Sequence, residues 1–278
     1  MQKIIITAFV SMFGLGVLSA QQYPFKVEII GEGEPLLFIP GFTCTAEVWE
    51  ETVAIFSDNY ECHVFTLAGF GDVAAIKLPW LPKIKESLVS YIKDKELQSA
   101  TVIGHSLGGT LGLWMAASES KLFRKLIVVD GLSSVGALMI PGFDSEAITY
   151  DNPYSKNILA MDDKAFKTMA SQMSSFMSLN EEKHRQITNW ILKADRNTYV
   201  HGYTDLLKLD LRKEIEKIDI PVILLGATYP DKEQLIANYN KQFMHLKNFK
   251  AYYADDSAHF IMYDQPEWFV EHLKKNIK

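Results

Sequence analysis

A chain of 278 residues, 48% of them hydrophobic, is long enough to bury a sizeable core as one α/β domain carrying an insertion. Its formal charge is −6, and no run of lysine and arginine interleaves with aromatic residues, which excludes nucleic acid as a partner. Beyond that exclusion, mild acidity says only that the folded chain dissolves in water.

The first twenty residues read apart from the fold. Lys3 gives a positive start, Ile4 to Leu18 is almost wholly apolar, and the small residues Ser19 and Ala20 precede Gln21. That order is the pattern of a secretory signal peptide over 1–20, and an apolar run of about 15 residues is short for a membrane span. The mature chain is expected to be exported to the periplasm or the extracellular space, with no stable membrane association once the segment is cleaved.

From there the elements alternate. Phe25 to Ile30 and Leu36 to Pro40 read as strands joined at GEGEP, Ala46 to Phe56 as a helix, and His63 to Leu67 as the next strand. A helix over about Pro82 to Lys95 leads to a short apolar strand, Ala100 to Ile103, and the segment LGGTLGLWMAAS then has helical spacing. Lys125 to Asp130, Pro221 to Gly226 and Phe249 to Ala254 read as further strands, and Pro266 to Ile277 as a closing amphipathic helix. Such alternation predicts a mainly parallel sheet covered on both faces.

The two cysteines bear on this topology. Cys44 falls just beyond the C-terminal edge of one strand and Cys62 opens the next at the opposite edge. Parallel strands hold those ends on the order of 15 Å apart, whereas bridged Cα atoms lie within about 7 Å, so two free, buried thiols are expected.

One interval does not alternate. Between Asp130 and Pro221 the pattern is helical with no convincing strand, too long for a crossover, and a helical cap over about 131–205 is expected. Inside it Phe166, Met169, Met173, Phe176 and Met177 fall at helical spacing on one face. Such a stripe packs a cap onto a sheet domain, and its methionines also suit an adaptable apolar pocket.

The chemistry centres on Ser106, the middle of the Gly-x-Ser-x-Gly pentapeptide in TVIGHSLGG. A serine hydroxyl is a poor nucleophile unless a tight turn exposes it beside a base and backbone NH groups able to hold an oxyanion. Strand, turn and helix follow one another here in the order such an elbow requires.

FIPGF at 38–42, TLAGFGD at 66–72, GHSLGG at 104–109 and SAHFIMYDQPEWF at 257–269, taken together, resemble the α/β-hydrolase superfamily, specifically its capped single-domain serine hydrolases of esterase type. The resemblance spans the whole mature chain and implies a mostly parallel sheet flanked by helices, with the helical cap inserted after the sixth strand. It implies an oxyanion hole built from the NH groups of Phe42 and Leu107; Pro40 stands where the family usually has histidine, at little consequence because the donors are backbone groups. No metal cluster or cofactor fingerprint is visible in the sequence, and neither a cofactor nor a metal is expected.

The base is expected to be His259, the histidine that follows the last strand and precedes the final helix. His272 reads as a solvated residue late in that helix, His201 lies in or beside the cap, and His105 adjoins Ser106 on its own turn. Two aspartates compete for the acid. Tyr229 fills the slot where relatives carry it; Asp231 is accounted for by a helix start, whereas Asp130 ends a strand at the edge that bears the site. Asp130 ranks first, Asp231 second, and Asp255 and Asp256 sit too close to His259 in sequence to orient it. The expected function is a secreted or periplasmic serine hydrolase cleaving an ester-like small-molecule substrate through an acyl-enzyme. The alternatives are a carbon–carbon bond hydrolase or perhydrolase on the same fold, or a non-catalytic binding protein that keeps the pocket.

Overall fold

A computed structural model describes residues 23–278, so the signal peptide expected at 1–20 lies outside the described residues. The chain runs β1 (Phe25–Ile30), β2 (Glu34–Ile39), α1 (Glu50–Phe56), β3 (Tyr60–Leu67), α2 (Trp80–Asp94), β4 (Ala100–His105), α3 (Leu107–Glu119) and β5 (Phe123–Val129). Helices α4 (Val135–Met139), α5 (Pro153–Ala160), α6 (Asp163–Met177), α7 (Glu181–Lys193) and α8 (Tyr203–Lys208) follow. Then come β6 (Val222–Ala227), α9 (Lys232–Phe243), β7 (Phe249–Ala254), α10 (Ile261–Asp264) and α11 (Pro266–Ile277).

The strands form one seven-stranded sheet in the order β1-β3-β2-β4-β5-β6-β7. Only β1 runs antiparallel, against β3; every other pairing is parallel. All six residues of β4 and of β6 are buried, as central strands with helices on both faces must be. The strands begin or end a few residues from where the sequence pattern puts them; β3, for instance, starts at Tyr60 because its backbone pairs with Glu34 of β2 before its side chains turn apolar.

Parallel register brings the C-terminal ends of six strands, β2 to β7, to one edge. Phe38 pairs with Ile103, His105 with Val129, Val129 with Leu225, and Ala227 with Ala254. The loops leaving β2 to β7 therefore gather on one side, where ligand sites of parallel sheets assemble. Cys44 and Cys62 are both free and buried, and burial pushes the Cys62 thiol up to about 11.

Helices α4 to α8 occupy the interval between β5 and β6, which among the described strands is a position after the fifth rather than the sixth. Specific polar contacts hold them down. Asp205 of α8 accepts hydrogen bonds from the backbone NH groups of Trp80 and Leu81, at 2.7 and 3.0 Å, placing a buried anion at the N-terminus of α2. Trp190 of α7 donates its indole NH to Glu47 at 2.9 Å. The expected stripe on α6 is corrected at one residue: Phe166 is buried and Met169, Met173 and Met177 are half-buried, but Phe176 is 81% exposed. At 100° per residue Phe176 lies on the flank of the stripe, and in the last turn of α6 that flank has no element to cover it.

Candidate functional site

The turn at Ser106 is built by neighbours that lack side chains. Ser106 has φ 52° and ψ −115°, a conformation that a non-glycine residue adopts only when its surroundings impose it. The surroundings do impose it. A Cβ on Gly108 would lie 2.2 Å from the Ile39 carbonyl oxygen and one on Gly104 would lie 2.3 Å from the backbone of Gly108, so the elbow closes only with glycine at both places. The Ser106 NH donates to the Val129 carbonyl at 2.8 Å, tying the turn to the end of β5.

With Ser106 at its N-cap, α3 presents the unpaired NH groups of its first turn, beginning with Leu107, next to the serine hydroxyl. The loop after β2 comes close on the other side: a Cβ on Gly41 would sit 2.7 Å from Nδ1 of His105 and 3.4 Å from Cβ of Ser106. Phe42 thus stands beside the elbow, its ring against Phe70 and Trp80 at centroid distances of 5.0 and 6.0 Å.

Asp130 and His259 meet although 129 residues separate them: Nδ1 of His259 donates to Oδ2 of Asp130 at 2.5 Å. The other carboxylate oxygen, Oδ1, accepts from the Ala227 NH at 2.9 Å and from the Tyr239 hydroxyl. Burial alone pushes the Asp130 carboxyl up, but the hydrogen bonds and charge of His259, with the donors Tyr239 and Ala227, outweigh it and hold the group below the usual carboxylate range. Burial and the Asp130 charge push the Tyr239 hydroxyl well up, so Tyr239 stays a neutral donor. Asp231 stands elsewhere. It is exposed and caps α9 by accepting from the Gln234 NH at 3.0 Å, while Asp255 pairs with Lys232.

Ser106, Asp130 and His259 line one cavity of about 610 Å³, and so does Phe42. Among the described residues no direct hydrogen bond joins Ser106 to His259, a contact that often tightens only when substrate is present. Met169, Met173 and Met177 of α6, Ile187 and Ile191 of α7, and Leu235 of α9 supply apolar wall. None of the described lining residues is lysine or arginine. Among the described residues no group of three or more His, Cys, Asp or Glu side chains converges as metal ligands would, and no helix is long and apolar enough to cross a membrane.

The histidines weighed against His259 in the sequence, His105, His272 and His201, have other partners. His105 is buried and its Nε2 donates to the carbonyl of His259 at 3.0 Å; burial, then the neighbouring His259, pushes its pKa down to about 3, so it is neutral. His272 donates Nδ1–H to the Trp268 carbonyl at 2.8 Å, and His201 packs edge-on against Tyr150. Sequence reasoning missed Tyr239. A signal for it exists: Leu235, Tyr239 and Gln242 recur at inward helical spacing in the otherwise polar α9.

A family model described as "Alpha/beta hydrolase family" matches residues 36–272. The chain is 23% identical over 256 residues to a pimeloyl-[acyl-carrier protein] methyl ester esterase of Vibrio cholerae, covering 88% of this chain and 95% of that protein. It is 19% identical to 3-oxoadipate enol-lactonase 1 of Acinetobacter baylyi, covering 81% of each. Among solved structures, an esterase from Exiguobacterium antarcticum superposes with a TM-score of 0.77 at 16% identity, over 91% of this chain and 95% of that one. The enol-lactonase from Burkholderia xenovorans gives 0.75 at 14%, over 90% and 95%. At such identities these likenesses speak for the fold.

Proposed function

The chain belongs to the alpha/beta hydrolase family, and on that premise we propose that it is a serine hydrolase cleaving an ester-like carbonyl substrate through an acyl-enzyme. One observation carries the reading: a strained serine at a helix N-terminus shares a cavity with an imidazole whose far nitrogen is held by a buried carboxylate. Ser106 Oγ attacks the carbonyl carbon as Nε2 of His259 takes its proton, and Asp130 stabilises the imidazolium that results. The NH groups of Phe42 and Leu107 hold the oxyanion of the tetrahedral intermediate. Its collapse expels the alcohol, to which His259 returns the proton, and water repeats the sequence to release the acid and regenerate the serine.

Helices α4 to α8 act in this reading as a cap over the site, the segment at about 131–205. Its apolar side chains, with no cation among the described lining residues, favour an uncharged, flexible acyl or alcohol group. That relatives are named a methyl ester esterase and an enol-lactonase supports hydrolysis of an ester-type bond. The pattern at 1–20 supports export to the periplasm or beyond.

The test is a fluorophosphonate probe followed by a panel of p-nitrophenyl esters. Wild-type protein labels at Ser106 and turns over at least one ester, while Ser106→Ala does neither and keeps its fold. A wild type that neither labels nor hydrolyses any ester would be a binding protein instead; one that labels but cleaves only carbon–carbon bonds or only makes peracids would move the reaction class and keep the residues.

A further inference from the structure

Asp264 lies outside the serine, histidine and aspartate described above, yet its carboxylate is as heavily engaged as that of Asp130. It ends α10, half-buried, five residues beyond His259. Oδ1 accepts from the Ser178 hydroxyl at 2.6 Å, the Leu179 NH at 2.9 Å and the Asn180 NH at 3.2 Å, the turn between α6 and α7. Oδ2 accepts from the Ala258 NH at 2.8 Å, the residue immediately before His259. On the other side of His259, the Phe260 NH donates to the Met177 carbonyl at 3.0 Å.

The loop that bears His259 is therefore bonded to the α6–α7 hairpin on both flanks of the histidine. The same hairpin contributes Met169, Met173, Met177, Ile187 and Ile191 to the cavity wall. Charge-assisted hydrogen bonds to backbone NH groups are short and directional, so a carboxylate shared between two segments fixes their relative position as a neutral contact would not. Asn180 also caps α7, which puts this anion at a helix N-terminus, where the dipole favours it.

Resting on the serine-hydrolase reading above, we infer that Asp264 is a positioning residue: its carboxylate ties the His259 loop to the α6–α7 hairpin and thereby sets the imidazole relative to Asp130 and Ser106. Three donors converge on Oδ1, so an asparagine at this position keeps its oxygen there and turns its NH₂ toward the Ala258 NH. Donor then faces donor. Asp264→Asn severs the arm to the histidine loop and spares the arm to the hairpin, whereas Ser178→Ala removes a single donor from the hairpin arm.

The experiment compares full-length Asp264→Asn, Ser178→Ala and wild type by steady-state kinetics on one p-nitrophenyl ester, with proton NMR of the downfield Nδ1–H resonance of His259. For Asp264→Asn, kcat falls tenfold or more with KM within threefold, and the downfield resonance shifts or broadens; for Ser178→Ala both stay near wild type. A merely structural role would lower the melting temperature and leave kcat and the resonance in place, and that result overturns the inference. If Asp264→Asn does not fold, Asp264→Glu carries the same test at smaller amplitude, threefold or more in kcat, because it keeps the charge but displaces both oxygens by a methylene; unchanged kcat and resonance there also overturn it. Failure of the hydrolase reading is separate, since it appears in wild-type protein as absence of labelling and turnover.

Discussion

Replacing Asp130 by asparagine tests the site at its most determined point, because the structure dictates which way the amide lies. Oδ1 of Asp130 receives two donors, the Ala227 NH and the Tyr239 hydroxyl, and Oδ2 receives one, from Nδ1 of His259. An asparagine satisfies both donors only by placing its oxygen in the Oδ1 position, and its NH₂ is left pointing at His259. The imidazole then accepts at Nδ1 and carries its proton on Nε2, where a base needs a lone pair. Loss of the correct tautomer in a serine–histidine–aspartate system lowers kcat by roughly three to four orders of magnitude, about 4 to 5.5 kcal/mol in transition-state stabilisation. Stability changes modestly, since the amide still fills the space and still accepts twice. The assay is kcat on one p-nitrophenyl ester at about pH 7 to 8, with circular dichroism to confirm the fold, set against Asp231→Asn, whose side chain only caps α9. An active Asp130→Asn beside a dead Asp231→Asn would refute the assignment of the acid; two active variants would refute the triad.

Three further outcomes follow from other parts of the molecule. His105 is held neutral with its pKa pushed down to about 3, so below its ordinary value near 6.5 the unfolded chain binds a proton that the native state refuses; stability then falls with pH by about 1.4 kcal/mol per unit down to about 3. Urea melts of wild type and His105→Gln from pH 6.5 to 4.5 should diverge by about 2 kcal/mol, and parallel curves would contradict the neutral, buried assignment. Because none of the described cavity-lining residues is lysine or arginine, a p-nitrophenyl ester of succinate should react at least a hundredfold less well in kcat/KM than the isosteric 4-methylpentanoate ester, an uncompensated buried carboxylate costing several kcal/mol. Equal rates would mean that the acyl group never enters the cavity. N-terminal sequencing of exported protein should begin at Ala20 or Gln21, and a thiol titration under denaturing, non-reducing conditions should find two thiols, as free Cys44 and Cys62 require.

Much of this arrangement is legible in the sequence because its signals are local. Ser106 sits in a pentapeptide whose glycines are demanded by contacts within a few residues of it or with the neighbouring strand, and the apolar runs of β2, β4 and β6 announce central strands. Asp130 and Asp231 are separable in principle, since a helix start after Tyr229 explains the latter. What sequence does not carry is the convergence of side chains from distant segments. Tyr239 looks like core in a polar helix until β5 and α9 are seen side by side, and Asp264 is one acidic residue in a run of mixed polarity until the α6–α7 turn closes over it. Phe176 fails in the opposite sense: the helical period places it near an apolar stripe, but on a flank that no element covers the period no longer implies burial.

The partners that hold Asp130 come from the far end of the chain. The nucleophile elbow is complete within residues 104 to 108 and the adjoining strands, all in the first half of the chain. Ala227, Tyr239 and His259 all belong to its last third, and the Asp130–His259 bond closes a separation of 129 residues, a loop whose entropy is recovered only when β6 and β7 have joined the sheet. Until β6 and β7 are in place, Ser106 lacks the imidazole that Asp130 orients. On the proposed serine-hydrolase reading, a molecule clipped before His259 keeps the serine turn's sequence, loses the base and is silent toward esters.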